Sequence, residues 1–151
     1  MIQIFTDGSA QGNPGPGGYG TILKYGKHEK ELSGGFRLTT NNRMELLAVI
    51  VGLESIKKND IPVVVVSDSK YVVEAVGKGW IWTWEKNNFK KKANVDLWKR
   101  FIPLCHKYKP KFKWIKGHAG HHENERCDQL AVEASQGGNL LIDVEYEKMN
   151  N

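Results

Sequence analysis

Four carboxylates in the sequence stand where a charge is costly. Asp7 follows the apolar run Ile2–Phe5 within Thr6-Asp7-Gly8-Ser9, at the end of an expected strand. Asp68 follows the β-branched run Val63–Val66 in the same way. Glu45 lies in a helical segment, Arg43–Ile56, that is apolar on nearly every side. Asp128 borders the stripe of Cys127, Leu130, Ala131 and Ala134 on a later helix. Each has an ordinary alternative: a turn residue for Asp7, a capping-box partner of Asn42 for Glu45, an N-cap for Asp68, a solvated helical acid for Asp128. The joint reading is stronger. Adjacent strands lie under about 5 Å apart, so Asp7 and Asp68 on neighbouring strands come within reach of one ion. Gathered carboxylates raise each other's pKa and repel, and divalent cations remove that repulsion. Oxygen-only donors favour Mg²⁺, with Mn²⁺ as substitute, over zinc. Two such ions about 3.5–4 Å apart can activate a water and stabilise a leaving alkoxide in phosphoryl transfer.

His118, between Gly117 and Gly120, is suited to carrying a proton near neutral pH; the alternative is an ordinary loop histidine. His118, His121 and His122 lack the Cys pair or His-Glu-x-x-His pattern that would argue for zinc. The glycine-rich stretch Gly12–Gly20 lacks the Gly-Lys-Ser/Thr ending of a phosphate-binding P-loop.

The elements that must position these groups follow from periodicity and breakers. Ile2–Phe5 reads as a strand, Asn13–Gly18 as a turn, and Tyr19–Tyr25 and His28–Phe36 as two strands joined at Gly26-Lys27. A central helix spans Arg43–Ile56, and Val63–Val66 is a strand buried on both faces, hence in a parallel setting. A helix begins near Tyr71, a short one covers Trp80–Asn87, a longer one Val95–Tyr108, a last strand Lys111–Ile115 and a closing helix Glu123–Gln136. Hairpin-type strands followed by helix–strand alternation argue an α/β mixed sheet with helices on its faces. The tail from Gly137 is expected to be peripheral or mobile.

The 151 residues suffice for one domain with a real core. Cys105 and Cys127 form no pair at metal or redox spacing, which points to a reduced, cytoplasmic protein. No secretory signal pattern or membrane-length apolar run is present, and nothing calls for an obligate protein partner, so a monomer is expected. Between Trp80 and Lys116, eleven Lys and Arg face two acids, a net +9 that leaves −4 for the rest of a chain totalling +5. A basic segment on an acidic body points to a polyanion partner.

Five blocks in order carry a resemblance: Thr6-Asp7-Gly8-Ser9, Gly12-Asn13-Pro14-Gly15, Thr40-Asn41-Asn42-Arg43-Met44-Glu45, Ser67-Asp68-Ser69-Lys70-Tyr71, and Lys116-Gly117-His118-Ala119-Gly120-His121 through Asp128. They resemble the type 1 ribonuclease H family, in particular its bacterial enzymes, over Met1 to about Gln136. The resemblance implies a ribonuclease H-like fold, with a five-stranded mixed sheet (three antiparallel strands plus parallel ones) flanked by helices. It also implies endonucleolytic hydrolysis of the RNA strand of RNA–DNA hybrids with two Mg²⁺, leaving 5′-phosphate and 3′-hydroxyl ends. The domain would span 1–136, with a basic protrusion at about 80–94, and 137–151 would be a tail outside it.

The family's metal-binding acids fall on Asp7, Glu45, Asp68 and Asp128; Glu125 matches an accessory acid and His118 the loop histidine. Asn13, Asn41 and Asn42 would contact the hybrid's minor groove, and Thr40 with Asn94 a DNA-strand phosphate. Trp80, Trp84 and Phe89 would face the DNA strand, with Lys86, Lys90, Lys91 and Lys92 supplying charge, while Trp98 and Trp114 are expected to pack inward. Three departures stand out: a short stretch between Phe89 and Asn94, Leu38 where relatives often carry a basic residue, and Lys70 at a substrate-contact position that is Gln in some relatives. Competing readings are a non-catalytic hybrid- or duplex-binding module of the same fold, or a related nuclease acting on DNA.

Overall fold

A computed structural model of the chain describes residues 1–117 and 119–149; His118, Asn150 and Asn151 lie outside it. The β-branched run forms a buried central strand, β4 (Val63–Ser67), parallel to β1 (Ile2–Ala10) on one side and to β5 (Lys111–Trp114) on the other. β2 (Gly15–Tyr25) and β3 (His28–Thr39) continue the sheet antiparallel from β1, giving the order β3-β2-β1-β4-β5.

Helices cover both faces. On one, α1 (Asn41–Glu54) packs with α4 (Val95–Tyr108) over Ile2, Ile4, Val63 and Val65, and Trp98 and Phe101 are fully buried there. Their rings meet edge to face at 5.8 Å. On the other, α5 (His122–Ser135) sets Cys127 and Leu130 against Ile22 and Phe5. Two short helices, α2 (Lys70–Gly77) and α3 (Trp80–Lys86), join β4 to α4, and α6 (Val144–Met149) ends the described chain.

Several boundaries differ from the sequence pattern, each for a physical reason. β1 runs on through Asp7, which pairs with Gly20 of β2; what stops at Thr6↔Ser67 is the parallel pairing with β4. Asp7 therefore stands one residue past the end of the parallel ladder, with only β2 beside it. The glycines read as a turn belong largely to β2. Gly18 is glycine because a Cβ there would lie 2.3 Å from the Ala131 carbonyl oxygen; on Gly20, in the expected strand, it would lie 2.3 Å from that of Cys127. Glycine here lets α5 approach the sheet rather than letting the chain turn.

The tail is docked. Leu141 exchanges backbone hydrogen bonds with Gly35 and Arg37, each at 2.9 Å. Asp143 reaches the buried Arg43 of α1, accepting from Nε at 2.7 Å and Nη2 at 2.8 Å, and from Thr39 Oγ1 at 2.7 Å. The other edge of the same guanidinium is bidentate to Asp96 of α4, at 2.8 and 2.7 Å. Arg43 is 2% exposed, so its charge depends on these two carboxylates in place of water. Arg37 and Glu147 add a pair at the surface, 2.8 Å apart.

Asp143→Ala is expected to lower unfolding stability by roughly 3 kcal/mol, the scale for breaking a buried ion pair. Arg37→Ala, at an exposed pair, should leave the urea midpoint nearly unmoved. Equal midpoints for the two variants would show that the buried clamp contributes no more than the surface one.

Candidate active site

Three elements bring their acids to one point. Asp7 comes from β1 beyond the parallel ladder, Asp68 from the residue after β4, and Glu45 from α1, and each offers a carboxylate oxygen within 4.8 Å of the others. Asp128 of α5 lines the same cleft, of about 430 Å³, together with Asn41, Asn42, Ser69, Lys70 and Tyr71. A second hollow of about 410 Å³ lies by Ile2, Leu23, Tyr25 and Ile56. It gathers no carboxylate cluster among the described residues, so the polar cleft is the better candidate for chemistry.

Local structure removes the ordinary alternatives for two of the acids. Thr40 is the N-cap of α1, accepting from the Arg43 N–H at 3.2 Å, so Glu45 is too far along for a capping box. Ser69 caps α2 by accepting from the Val72 N–H at 3.3 Å, so Asp68 is not the cap.

The Gly8 N–H donates to Asp7 Oδ1 at 2.9 Å and to Glu45 Oε1. Only glycine fits there, because a Cβ would stand 2.4 Å from the Glu45 nitrogen. The loop after β5 closes on Asp68, where a Cβ at Gly117 would lie 2.7 Å from Oδ2.

The cluster is electrostatically uncomfortable by itself. Burial pushes the Asp7 carboxyl up to about 7; a hydrogen bond with Glu45 opposes the rise, and the charges of Asp68 and Asp128 add to it. Burial first, then the charge of Asp7, holds Glu45 well above the ordinary carboxylate range. Buried carboxylates facing one another, all oxygen donors and with no thiolate among them, match a hard divalent cation. The residues therefore fit a metal.

The other expected residues are placed unevenly. Asn13 Oδ1 accepts from the Asn41 N–H at 2.9 Å, and Asn41 Oδ1 accepts from the Ala10 N–H, so the asparagines form one exposed rim with Asn42. Asn94 takes a left-handed conformation before α4, donates to Tyr71 Oη at 3.0 Å and accepts from Arg43 Nη1 at 3.4 Å. Trp80 is 43% exposed. Trp84 is half-buried, edge-on to Trp98 at 5.7 Å, with Lys92 Nζ 5.0 Å over its ring. Lys86, Lys90 and Lys91 are exposed, as is Glu125 on α5. His118 lies outside the described residues.

Two aromatic expectations are corrected. Phe89 does not face outward: it is 5% exposed and part of the core, because its N–H closes a turn onto the Trp84 carbonyl at 2.7 Å and turns the ring inward. Trp114 does not pack inward: it is 43% exposed, and its indole N–H donates to the Asp68 carbonyl at 3.0 Å. Phe112 packs against the core cluster, but Trp114, at the last position of β5, has passed it. The sequence pattern also passed over two cleft-lining groups. Tyr71 Oη accepts from Trp98 Nε1 at 2.9 Å, and the Ser9 hydroxyl has no partner among the described residues.

Raised carboxylate pKa values fix the sign of a pH effect. The folded protein holds protons that the unfolded chain releases near pH 4, so metal-free stability falls as pH rises toward 7. Mg²⁺ should raise the melting temperature more at pH 8 than at pH 5. Asp7→Asn should raise the metal-free melting temperature at pH 8 and shrink the Mg²⁺ increment. Thermal unfolding by circular dichroism checks both; an equal Mg²⁺ increment at the two pH values would contradict the carboxylate origin.

Comparison with known proteins agrees with this arrangement. The RNase H family model matches residues 1–136. A ribonuclease H of Rippkaea orientalis is 54% identical over 97% of this chain and 92% of its own length. One of Desulforamulus reducens is 57% identical over 95% of this chain and 92% of its own. Among solved structures, LC9-RNase H1, described as a type 1 RNase H with the type 2 active-site motif, superposes with a TM-score of 0.81 at 30% identity, covering 98% of this chain and 79% of that one. LC11-RNase H1, solved in complex with RNA/DNA hybrid, gives 0.68 at 28% identity, covering 90% and 97%. With the sheet order, the gathered acids and more than half of all residues shared with such relatives, the chain belongs to the RNase H family of ribonucleases.

Proposed function

We propose that the protein is an endonuclease that hydrolyses the RNA strand of RNA–DNA hybrids, leaving 5′-phosphate and 3′-hydroxyl ends, with two Mg²⁺ ions held by Asp7, Glu45, Asp68 and Asp128. The observation that carries the reading is the convergence of Asp7, Glu45 and Asp68 within 4.8 Å in a cleft rimmed by asparagines and bordered by Asp128. Bound there, the ions would supply an activated water and neutralise the departing 3′-oxygen.

The chain's own groups do the rest. The shared Gly8 N–H occupies one oxygen each of Asp7 and Glu45 and so fixes the facing of the others. Asn13, Asn41 and Asn42 offer amides to ribose 2′-hydroxyls, the groups by which a protein tells RNA from DNA. Thr40 and Asn94, at the N-terminal ends of α1 and α4, hold a phosphate of the DNA strand, with Trp80 and the exposed part of Trp84 against its sugars. Lys86, Lys90, Lys91 and Lys92 supply screening charge, and Phe89 anchors the loop that presents them. Lys70 meets the RNA strand at the cleft, Glu125 assists near the metals, and His118 moves a proton during product departure. Residues 1–136 form the catalytic unit of a cytoplasmic monomer, with the basic loop at about 80–94.

Asp7→Asn should reduce Mg²⁺-dependent cleavage of a hybrid by about 100-fold or more while hybrid binding persists. Undiminished cleavage by that variant would refute the metal assignment. Among matched RNA–DNA, RNA–RNA and DNA–DNA duplexes only the first should be cut, and its binding should weaken steeply with salt. Preferential cutting of DNA–DNA would make the protein a different nuclease of the same fold.

A further inference from the structure

Asp68 lies outside any helix or strand, yet β5 and the loop after it fasten it at three consecutive points. The Ile115 N–H donates to the Ser67 carbonyl at 3.0 Å, the Trp114 indole N–H donates to the Asp68 carbonyl at 3.0 Å, and the Gly117 backbone lies against the Asp68 carboxylate. The middle point is the one made by a side chain. That side chain is a tryptophan with 43% of its surface in solvent.

The exposed ring carries a second contact. Lys70 Nζ lies 5.1 Å from its centroid, while Lys70 also lines the carboxylate cleft. A free lysine side chain samples many rotamers, and an aromatic face within about 6 Å of the ammonium restricts it. One indole thus touches both a metal-ligand backbone and a cation at the rim of the same cleft. The strand that is cut must enter that cleft, so the cation meets the RNA strand.

We infer that Trp114 is a positioning residue for cleavage, its indole N–H holding the Asp68 peptide and its ring holding the Lys70 ammonium where a phosphate of the RNA strand docks. The inference rests on the ribonuclease reading above for the phosphate, but not for the Asp68 contact. The two contacts separate by substitution. Trp114→Phe keeps a ring for Lys70 and removes the donor; Trp114→Leu removes both; Lys70→Met removes the cation alone.

Calorimetric titration of the whole protein with Mg²⁺, without nucleic acid, reads the Asp68 contact. Trp114→Phe should weaken Mg²⁺ binding by about 3- to 10-fold, the loss carried by one neutral hydrogen bond, with a similar fall in kcat and a KM within about twofold. Trp114→Leu should in addition raise KM and lower the slope of log KM against log salt by about one, as one phosphate contact is lost. Lys70→Met should reproduce that KM and slope change with Mg²⁺ binding unaltered. Unchanged Mg²⁺ affinity in folded Trp114→Phe overturns the Asp68 contact, and equal KM and slope in the Phe and Leu variants overturn the perch for Lys70. A wild-type protein that cuts no hybrid would instead fail the functional reading, while the calorimetric comparison would still test the Asp68 contact.

Discussion

Carboxylates placed side by side out of water resist being there, and much of the chain can be understood as the apparatus that holds them. Asp7 and Glu45 are each 7% exposed, and desolvation is the largest influence on both. A fold that offered only burial would answer by keeping them protonated. This one also supplies a shared backbone N–H from Gly8, a strand end at Thr6↔Ser67 that opens room beside β1, and a cleft through which a cation can reach them. The topology follows the same need. Ligand sites in α/β sheets form beyond the carboxyl ends of parallel strands, and the parallel pairing of β1 with β4 ends at this place.

Charge elsewhere is arranged in the opposite sense. The segment Trp80–Lys116 carries most of the excess lysine, yet its aromatic residues are divided between two duties. Trp98, Phe101 and Phe89 are core, whereas Trp80 and Trp114 keep much of their surface in water. Ammonium groups lie over several of the remaining faces: Lys78 is 5.2 Å from Trp80, Lys92 is 5.0 Å from Trp84 and Lys70 is 5.1 Å from Trp114. Such pairs place cations in preferred positions before any anion arrives, so less ordering is needed at the encounter.

The four acids were legible in the sequence because each stood in a context that disagreed with it: at the end of an apolar strand, inside an apolar helix, beside a buried stripe. The Val63–Val66 run likewise announced a central parallel strand. Other features were not legible, for reasons that lie in three dimensions. Glycine at 18 carries the same letter whether it turns a chain or admits a helix, and only the approach of α5 decides. Phe89 and Trp114 exchanged expected roles because a turn reversal and the last position of a strand override local pattern. The docking of Asp143 depends on a cation 100 residues earlier, a distance that no periodicity spans.

That separation bears on how the molecule comes into being. A ribosome delivers residues from the amino end, so Arg43 emerges long before Asp143. Until Asp143 follows, the guanidinium in the central helix has at most one of its two anionic neighbours, Asp96. The charge on the helix is paired on both edges only when residues 141–143 lie beside β3. A chain lacking Asp143 would leave the buried guanidinium with one carboxylate where the fold provides two.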